Sequence, residues 1–475
     1  MSGIAATLEN SNHIIEKMLD RIRHRGREEE EIYRQGSVQL GEVSFDREQL
    51  GAVSQKGYGL VLDGVLFFKN KRLTKTQLLN MYLEKGAKFV KDLEGKFAII
   101  ISNGDDFFVA RDLFGIKPLY FSNSANQWSF ASEMKALVHS SDQINIFPPG
   151  YYFTKEEGLQ QFQEIPSFKH ESNLSIEEAE EQLRELLYAA VKRALETSGE
   201  AAIFLSGGVD SSIIVAAAQH ISGNKIPTYV AGIEGSPDLE NARKVAEYFK
   251  TKHKQLVYSN KDILEVLWEI IYYLESFDVE LINSSIANYF VSKLAQSDDI
   301  KVILSGEGAD ELFAGYHFLK QYKDENNFSF KLHELLKGLH NGGFQRVDRM
   351  AKAHSLEVEM PFMDPQVVKL ALQLPARWKI SENEMGKWLL RKAFCCVVPE
   401  KIIWRRKAQF GVGTGTEKTM HKIIDDIVSE EEFNHACQNE SEINFKSKEE
   451  YYYYKIFKKY FPGRAALKTV NRWLV

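Results

Sequence analysis

The chain has 475 residues, 44% hydrophobic and 27% charged, with a formal net charge of −6. That length exceeds the roughly 250–300 residues one core supports, so at least two domains are expected. The acidic balance lacks the basic footprint of a broad nucleic-acid binder, no run approaches the ~20 apolar residues of a membrane span, and Cys395, Cys396 and Cys437 form neither a disulfide framework nor a metal-ligand spacing.

The opening MSGIAATLENSNHIIEK meets polar and acidic residues too early for a secretory signal. A cytoplasmic protein is expected, with no nucleic-acid or membrane partner and with the oligomeric state open. From about residue 36 to 160, short β-rich runs (YGLVLDGVLFF, KFAIIIS, DFFVARD, PLYFS, QWSFAS, GYYFT) are broken by turns, which predicts a sheet domain. KEEGLQQFQEIPSFKHESN follows neither periodicity and reads as a linker. Ser175 and Glu178 then form a capping-box pattern ahead of a long amphipathic helix.

Beyond it, strand and helix alternate: AAIFLS, SSIIVAAAQHI, PTYVAGI, DLENARKVAEYF, KQLVYS, KDILEVLWEIIYYLES, SSIANYFVSKLAQS, KVILSG. Apolar strands between helices predict a buried parallel sheet, hence an α/β class. From about Glu311 onward the pattern is largely helical. Adjacent Cys395 and Cys396, in LLRKAFCCVV, are expected to be buried small hydrophobes. The run Tyr451 to Tyr454 is expected to be one face of an amphipathic helix.

Leu205, Ser206, Gly207, Gly208, Asp210, Ser211 and Ser212 follow a predicted strand and open a predicted helix, an arrangement that aims backbone N–H groups at phosphate. The loop lacks the Lys of the GxxxxGK[ST] motif and holds an Asp instead, which suits Mg²⁺ on a pyrophosphate. A tight turn that merely caps the helix is the simpler alternative. A second strand end repeats the arrangement with Ser305, Gly306, Glu307, Gly308 and Asp310. Loops at the carboxyl ends of a doubly wound sheet face one crevice, so Asp310 is expected to complete a Mg²⁺ shell begun by Asp210.

Together, SGGVDSS and SGEGADE resemble the asparagine synthetase family. GSPDLENARKVA, MPFMD, PEKIIWRRKAQFGVGTG and KEEYYYYKIFKKYFPGRA extend the likeness, as do HRG, LEGKFAIII, ARDLFGIKPLY and FASEMKALV in the first half. The resemblance implies an N-terminal Ntn-hydrolase-like αββα sandwich followed by a doubly wound parallel-sheet PP-loop domain with a helical C-terminal part. It implies residues 1–160 as a glutaminase-like domain, 161–174 as a linker and 175–475 as the synthetase domain. It further implies an ATP-dependent ligase with ATP and Mg²⁺ as cofactors: a small-molecule carboxylate, aspartate or a relative, is adenylated with release of pyrophosphate, then aminated by ammonia or another amine.

Carried over by position, Leu205 to Gly208, Asp210, Ser211 and Ser212 match the family's pyrophosphate loop, and Gly232, Ile233, Ser305 and Gly306 match its adenine-contacting positions. Glu307 matches the base that takes a proton from the attacking nitrogen, and Lys407 the cation at the α-phosphate. Either could instead be ordinary surface, Glu307 as a solvated turn residue and Arg405-Arg406-Lys407 as a solvated face.

The first half departs from the family. Its nucleophilic Cys at position two is Ser2, its glutamine-pocket Arg is gone from the aligned stretch GEVSF (41–45), its oxyanion Asn is Asp63, and its GSD segment is absent from the aligned stretch KNKRLTKTQ (69–77). An ionised carboxylate cannot donate to an oxyanion, so this domain is expected to be inactive and the nitrogen to come from ammonia. Asn283 occupies an Arg position in the synthetase half, which removes a carboxylate clamp. Rival readings are a β-lactam-synthetase-like or peptide-tailoring ligase that uses a substrate amine, a non-catalytic nucleotide-binding regulator, and a tRNA-modifying PP-loop enzyme.

Overall fold

A computed structural model describes residues 2–472 except 9–12, 28, 46–52, 70, 125–126, 139–142, 169–172, 199, 224, 323, 406–412 and 441–442. The chain divides into two compact units: Met1–Ile165 together with Phe457–Leu474, and Pro166–Ile456.

In the first unit two antiparallel sheets stack. One runs Ile144–Ile146, Tyr120–Ser124, Gln127–Ala131, Ser2–Thr7, Val38–Ser44, Glu29–Gln35. The other runs Gly158–Gln161, Tyr151–Thr154, Phe107–Arg111, Glu94–Ser102, Tyr58–Phe68, Val53–Gln55, with Lys71–Arg72 pairing beside it. Helix Ile14–Arg21 packs on the first sheet and helix Lys75–Lys85 on the second, giving αββα layers. The run KFAIIIS shows why the pattern is uninterrupted rather than alternating. Phe97, Ile99 and Ile101 join the core that includes Leu78 and Leu79 of the second helix, while Ala98 and Ile100 join the core between the sheets. Both faces of that strand are covered, so every position is apolar.

Gly158–Gln161 lies inside the stretch read as an aperiodic linker and forms a hairpin with Tyr151–Thr154. Four residues at a sheet edge, three of them exposed, carry too little burial to leave a hydrophobic signature.

The second unit opens with helix Ile176–Ser198, where Ser175 and Glu178 form the reciprocal capping box: Ser175 N–H donates to Glu178 Oε2 at 2.7 Å, and Glu178 N–H to Ser175 Oγ at 3.2 Å. Its five-stranded sheet is parallel throughout, in the order Lys252–Val257, Pro227–Gly232, Ala201–Phe204, Val302–Leu304, Glu357–Glu359. The chain moves outward to one side from the central strand Ala201–Phe204 and later returns to its other side. The topological switch point therefore falls between Ala201–Phe204 and Val302–Leu304, where a doubly wound sheet opens its ligand crevice. Strand Glu357–Glu359 lies in the stretch read as helical; its charged Glu357 is buried against Lys352, 2.6 Å away, so a core position carries no apolar signal.

Cys395 and Cys396 are exposed, contrary to the sequence expectation. Helix Trp388–Phe394 ends just before them, and Ala393 and Phe394 take the core positions instead. Within helix Lys448–Tyr460, Tyr453 and Tyr454 are buried while Tyr451 and Tyr452 are only partly so, which is the amphipathic face expected.

Candidate active site

Leu205 extends the central strand by donating its N–H to Tyr229 O at 2.8 Å. The chain then turns at Gly207, whose φ of +69° and proximity to the Asn241–Ala242 backbone leave no room for a side chain. Gly208 caps helix Val209–Ser222 without a side-chain oxygen on its first N–H groups. The serines turn back on the loop itself: Ser212 Oγ donates to Gly208 O at 2.7 Å, and Ser206 Oγ lies 3.3 Å from Ser211 Oγ. The positive end of the helix dipole is thus presented to an incoming anion.

The neighbouring strand end is packed directly against this loop. A side chain on Gly306 would stand 2.8 Å from Asp210 Cβ, so glycine permits the two loops to touch. Ser305 N–H donates to Glu359 O at 2.9 Å, fixing the exit of the strand. Gly308, at φ +89° and pressed against Met363 of MPFMD, starts the short helix Ala309–Phe313 that bears Asp310.

Asp210 and Asp310 meet at a residue that the motifs did not announce. Lys387 Nζ lies 2.5 Å from Asp210 Oδ2 and 2.6 Å from Asp310 Oδ1, with the lysine buried. Burial opposes its charge, yet the two carboxylates outweigh that cost and raise its pKa. Gly315 packs against both the Asp310 carboxylate and the Lys387 stem, which only a residue without Cβ allows.

Glu307 is held by Arg346, whose Nη2 donates to Glu307 Oε1 at 2.5 Å from the first turn of helix Gly343–Ala353. It is therefore not a free turn residue. Beside it, Tyr316 OH donates to Glu311 Oε1 at 2.5 Å. On the other flank of the central strand, Gly232 O accepts from Tyr258 N–H at 3.2 Å, and Ile233 N–H donates to Thr414 O at 3.2 Å.

The carboxyl ends of three adjacent strands thus carry every expected nucleotide and metal residue from Leu205 to Ser212, with Gly232, Ile233, Ser305, Gly306 and Asp310. Lys407 lies outside the described residues. Its neighbour Arg405 is not a solvated face: Nη1 donates to Gly207 O at 2.9 Å. Lys387 and Arg346 were missed because neither sits in a loop motif; Lys387 is separated from Asp210 by 177 positions.

Asn283 is buried and fully engaged. Its Nδ2 donates to Glu449 Oε1 at 2.7 Å and its Oδ1 accepts from Tyr453 OH at 2.8 Å. The carboxylate that accepts from Asn283, Glu449, has its pKa raised by burial.

In the first unit, the stretches expected to depart from the family's glutamine pocket hold ion pairs. Asp63 Oδ2 lies 3.0 Å from Arg25 Nη2 and Asp63 Oδ1 3.3 Å from Lys117 Nζ, all buried. Arg25 also donates to Glu133 Oε1 at 2.8 Å, and Glu133 is paired with Lys135. Glu42, in the stretch aligned with the lost Arg, accepts from Lys75, in the stretch aligned with the lost GSD, at 2.7 and 2.8 Å. Burial raises the Glu42 pKa to about 7 while Lys75 opposes the shift. Ser2 Oγ donates to Leu62 O at 2.7 Å.

Comparison with known proteins agrees with both units. The asparagine synthase family profile matches residues 182–334 and 320–474, and the glutamine amidotransferase domain profile matches residues 1–184. Asparagine synthetase [glutamine-hydrolyzing] of Zea mays is 33% identical over 416 residues, 83% of this chain and 71% of that one. Asparagine synthetase [glutamine-hydrolyzing] 3 of Arabidopsis thaliana is 34% identical over 416 residues, 83% of this chain and 72% of that one. A probable asparagine synthetase [glutamine-hydrolyzing] of Dictyostelium discoideum is 30% identical over 432 residues, 84% of this chain and 77% of that one. With two family profiles spanning the two units and relatives aligned along most of their own length, the chain belongs to the asparagine synthase family and is an ATP-dependent carbon–nitrogen ligase of that kind with an amidotransferase-type first unit.

Proposed function

We propose that the chain adenylates a small carboxylic acid, aspartate or a related acid, and aminates the product with ammonia. Residues 175–475 form the synthetase domain on this reading, 161–174 a linker and 1–160 a glutaminase-like domain without glutaminase activity. The observation that carries the proposal is the convergence of Asp210 and Asp310 on one buried ammonium beside an uncapped helix N-terminus.

The donor set fits magnesium. Two carboxylates from two strand ends supply hard oxygens, and no group of three or more metal-ligating side chains occurs among the described residues, so phosphate oxygens and water would complete the shell. Bound there by Asp210 and Asp310, Mg²⁺ would neutralise charge on the departing pyrophosphate. Lys387 adds a positive charge at the same point, and the N–H groups of Gly208 and the first turn of its helix receive phosphate oxygens. The substrate carboxylate attacks the α-phosphate, pyrophosphate leaves, and Lys407 offsets charge on the α-phosphate. The amine then attacks the acyl carbon, Glu307 takes a proton from its nitrogen, and AMP departs. Arg346 holds Glu307 in register, while Gly232, Ile233, Ser305 and Gly306 border the adenine.

Ammonia is the proposed nitrogen source because the pairs Arg25–Asp63–Lys117 and Glu42–Lys75 occupy the charges that a glutamine would need. A Ser2→Cys chain is therefore expected to remain without glutaminase activity: ¹⁵N-amide glutamine should give neither labelled product nor glutamate above background. Labelled product from the wild-type chain would overturn the ammonia reading. Asp63→Asn is expected to lower stability by about 3–5 kcal/mol, because it leaves a buried Arg25 and Lys117 short of their counter-charge; thermal or urea unfolding measures this. Asn283 with Glu449 favours a second acceptor class, an acid without a free α-carboxylate at that position, with a substrate amine in place of ammonia.

The deciding experiment scores pyrophosphate release and product mass across a panel of carboxylates with ammonium, aspartate first. Release that depends on the acid and yields its amide supports the proposal; nucleotide binding with no release for any acid overturns it in favour of a regulator.

A further inference from the structure

Asp238 sits in the first turn of helix Pro237–Phe249 and is buried. Two segments distant in sequence close on its carboxylate. Arg405 Nη2 lies 3.6 Å from Asp238 Oδ1. A side chain on Gly413 would stand 2.6 Å from the same oxygen, so glycine lets the backbone approach it. Arg405 and Gly413 flank residues 406–412, the stretch that contains Lys407. The guanidinium that faces Asp238 also donates to Gly207 O of the phosphate loop at 2.9 Å. Arg391, from the helix that follows Lys387, donates to Arg405 O at 2.9 Å. One residue past Gly413, Thr414 O accepts from Ile233 N–H at 3.2 Å.

We infer that Asp238 is a positioning residue for adenylation: by orienting Arg405 and seating Gly413, it ties the phosphate loop to both flanks of the stretch that carries Lys407. The inference rests on the role of Lys407 proposed above. Asp238 touches no reacting atom on this reading; it acts through Arg405.

The energetics point the same way. Burial lifts the Asp238 pKa to about 6, with Arg405 working against the rise. A carboxyl whose folded pKa exceeds its ordinary value lowers stability at every pH above that value, so its charge at neutral pH opposes folding rather than aiding it. A charge kept at such a cost beside a cleft is the pattern of a functional group. Among the described residues, the charged and titratable groups facing it are Arg405 and Tyr258. Tyr258 is neutral across the working range, since burial lifts its pKa to about 12, and its hydroxyl is engaged with Thr416 Oγ1 at 2.7 Å. Arg405 is then the group left to respond when Asp238 takes up a proton.

The test uses the full chain and the carboxylate that gives the fastest pyrophosphate release. Asp238→Asn and Arg405→Gln are each expected to lower kcat ~10- to 100-fold, the effect of misplacing a charge by about an ångström. KM for ATP is expected to stay within about threefold, because Asp238 does not bind ground-state nucleotide. The double variant should be no worse than the weaker single one, since both act through one pair. Wild-type kcat should fall as pH drops through about 6, Asp238→Asn should lose that limb, and Asp238→Glu should recover part of the rate. An unchanged kcat and pH profile in folded Asp238→Asn, or an additive double variant, overturns the inference. Should Asp238→Asn not fold, Arg405→Gln decides it, and an unchanged kcat there overturns it equally. A wild-type chain silent with every acid removes the proposed function and this inference together; an active wild type with an indifferent Asp238→Asn removes this inference alone.

Discussion

Lys387→Met is expected to slow pyrophosphate release ~10²- to 10³-fold, the usual consequence of deleting a preorganised charge where charge develops. It should also lower stability. Removing one member of a buried ion pair typically costs about 3–5 kcal/mol because the partners remain charged. Here the lower end is expected, since the Asp210 and Asp310 side chains keep 20% and 22% of their surface exposed and water softens their repulsion. Lys387→Arg should not restore activity, because Gly315 is already in contact with the lysine stem and the Asp310 carboxylate. Magnesium provides an independent check. With the ammonium gone, the two carboxylates form a more negative pair, so added Mg²⁺ should raise the unfolding temperature of Lys387→Met more than that of wild type. Equal Mg²⁺ responses together with wild-type pyrophosphate release would remove Lys387 from the site and Asp210 and Asp310 from the metal.

Glu307→Gln is expected to separate the two half-reactions. Glutamine keeps an oxygen for Arg346 Nη2, so the local packing survives, but its amide cannot accept the proton released by the attacking amine. Acid-dependent exchange of pyrophosphate into ATP should persist within a few-fold, while amide formation falls ~10²- to 10⁴-fold. Rapid-quench measurement of acyl-adenylate and product checks both, with acyl-adenylate accumulating in the variant. Amide formation at the wild-type rate would show that another group takes the proton.

The outcome of sequence reading differed between elements for physical reasons. Strand Tyr58–Phe68 coincides with the run YGLVLDGVLFF, and Ala201–Phe204 and Pro227–Gly232 fall within the apolar runs that announce them. Buried central strands must be apolar, and glycine and proline punctuate them. Strands at sheet edges, such as Gly158–Gln161 and Glu357–Glu359, escape because their polar or charged residues are exposed or paired. Cys395 and Cys396 show the converse failure: an apolar neighbourhood in sequence does not bury a residue once the helix bearing the core positions has ended.

Of the site, the sequence by itself determined the two strand-to-helix loops, because a tight turn from a buried strand into a helix demands glycine and small hydroxyl residues at adjacent positions. It also shows Ser2 and Asp63 at positions where the resemblance leads one to expect Cys and Asn, a difference visible without coordinates and the ground for proposing ammonia. Only the tertiary structure decided which charges meet there: Arg25 and Lys117 around Asp63, and Lys75 on Glu42. It alone decided that Lys387 joins Asp210 to Asp310, that Arg346 holds Glu307, and that Arg405 links Asp238 to the loop at Gly207. Charges attract through space and not along the chain, so partners set by the crossing of distant segments leave no spacing for a motif to record.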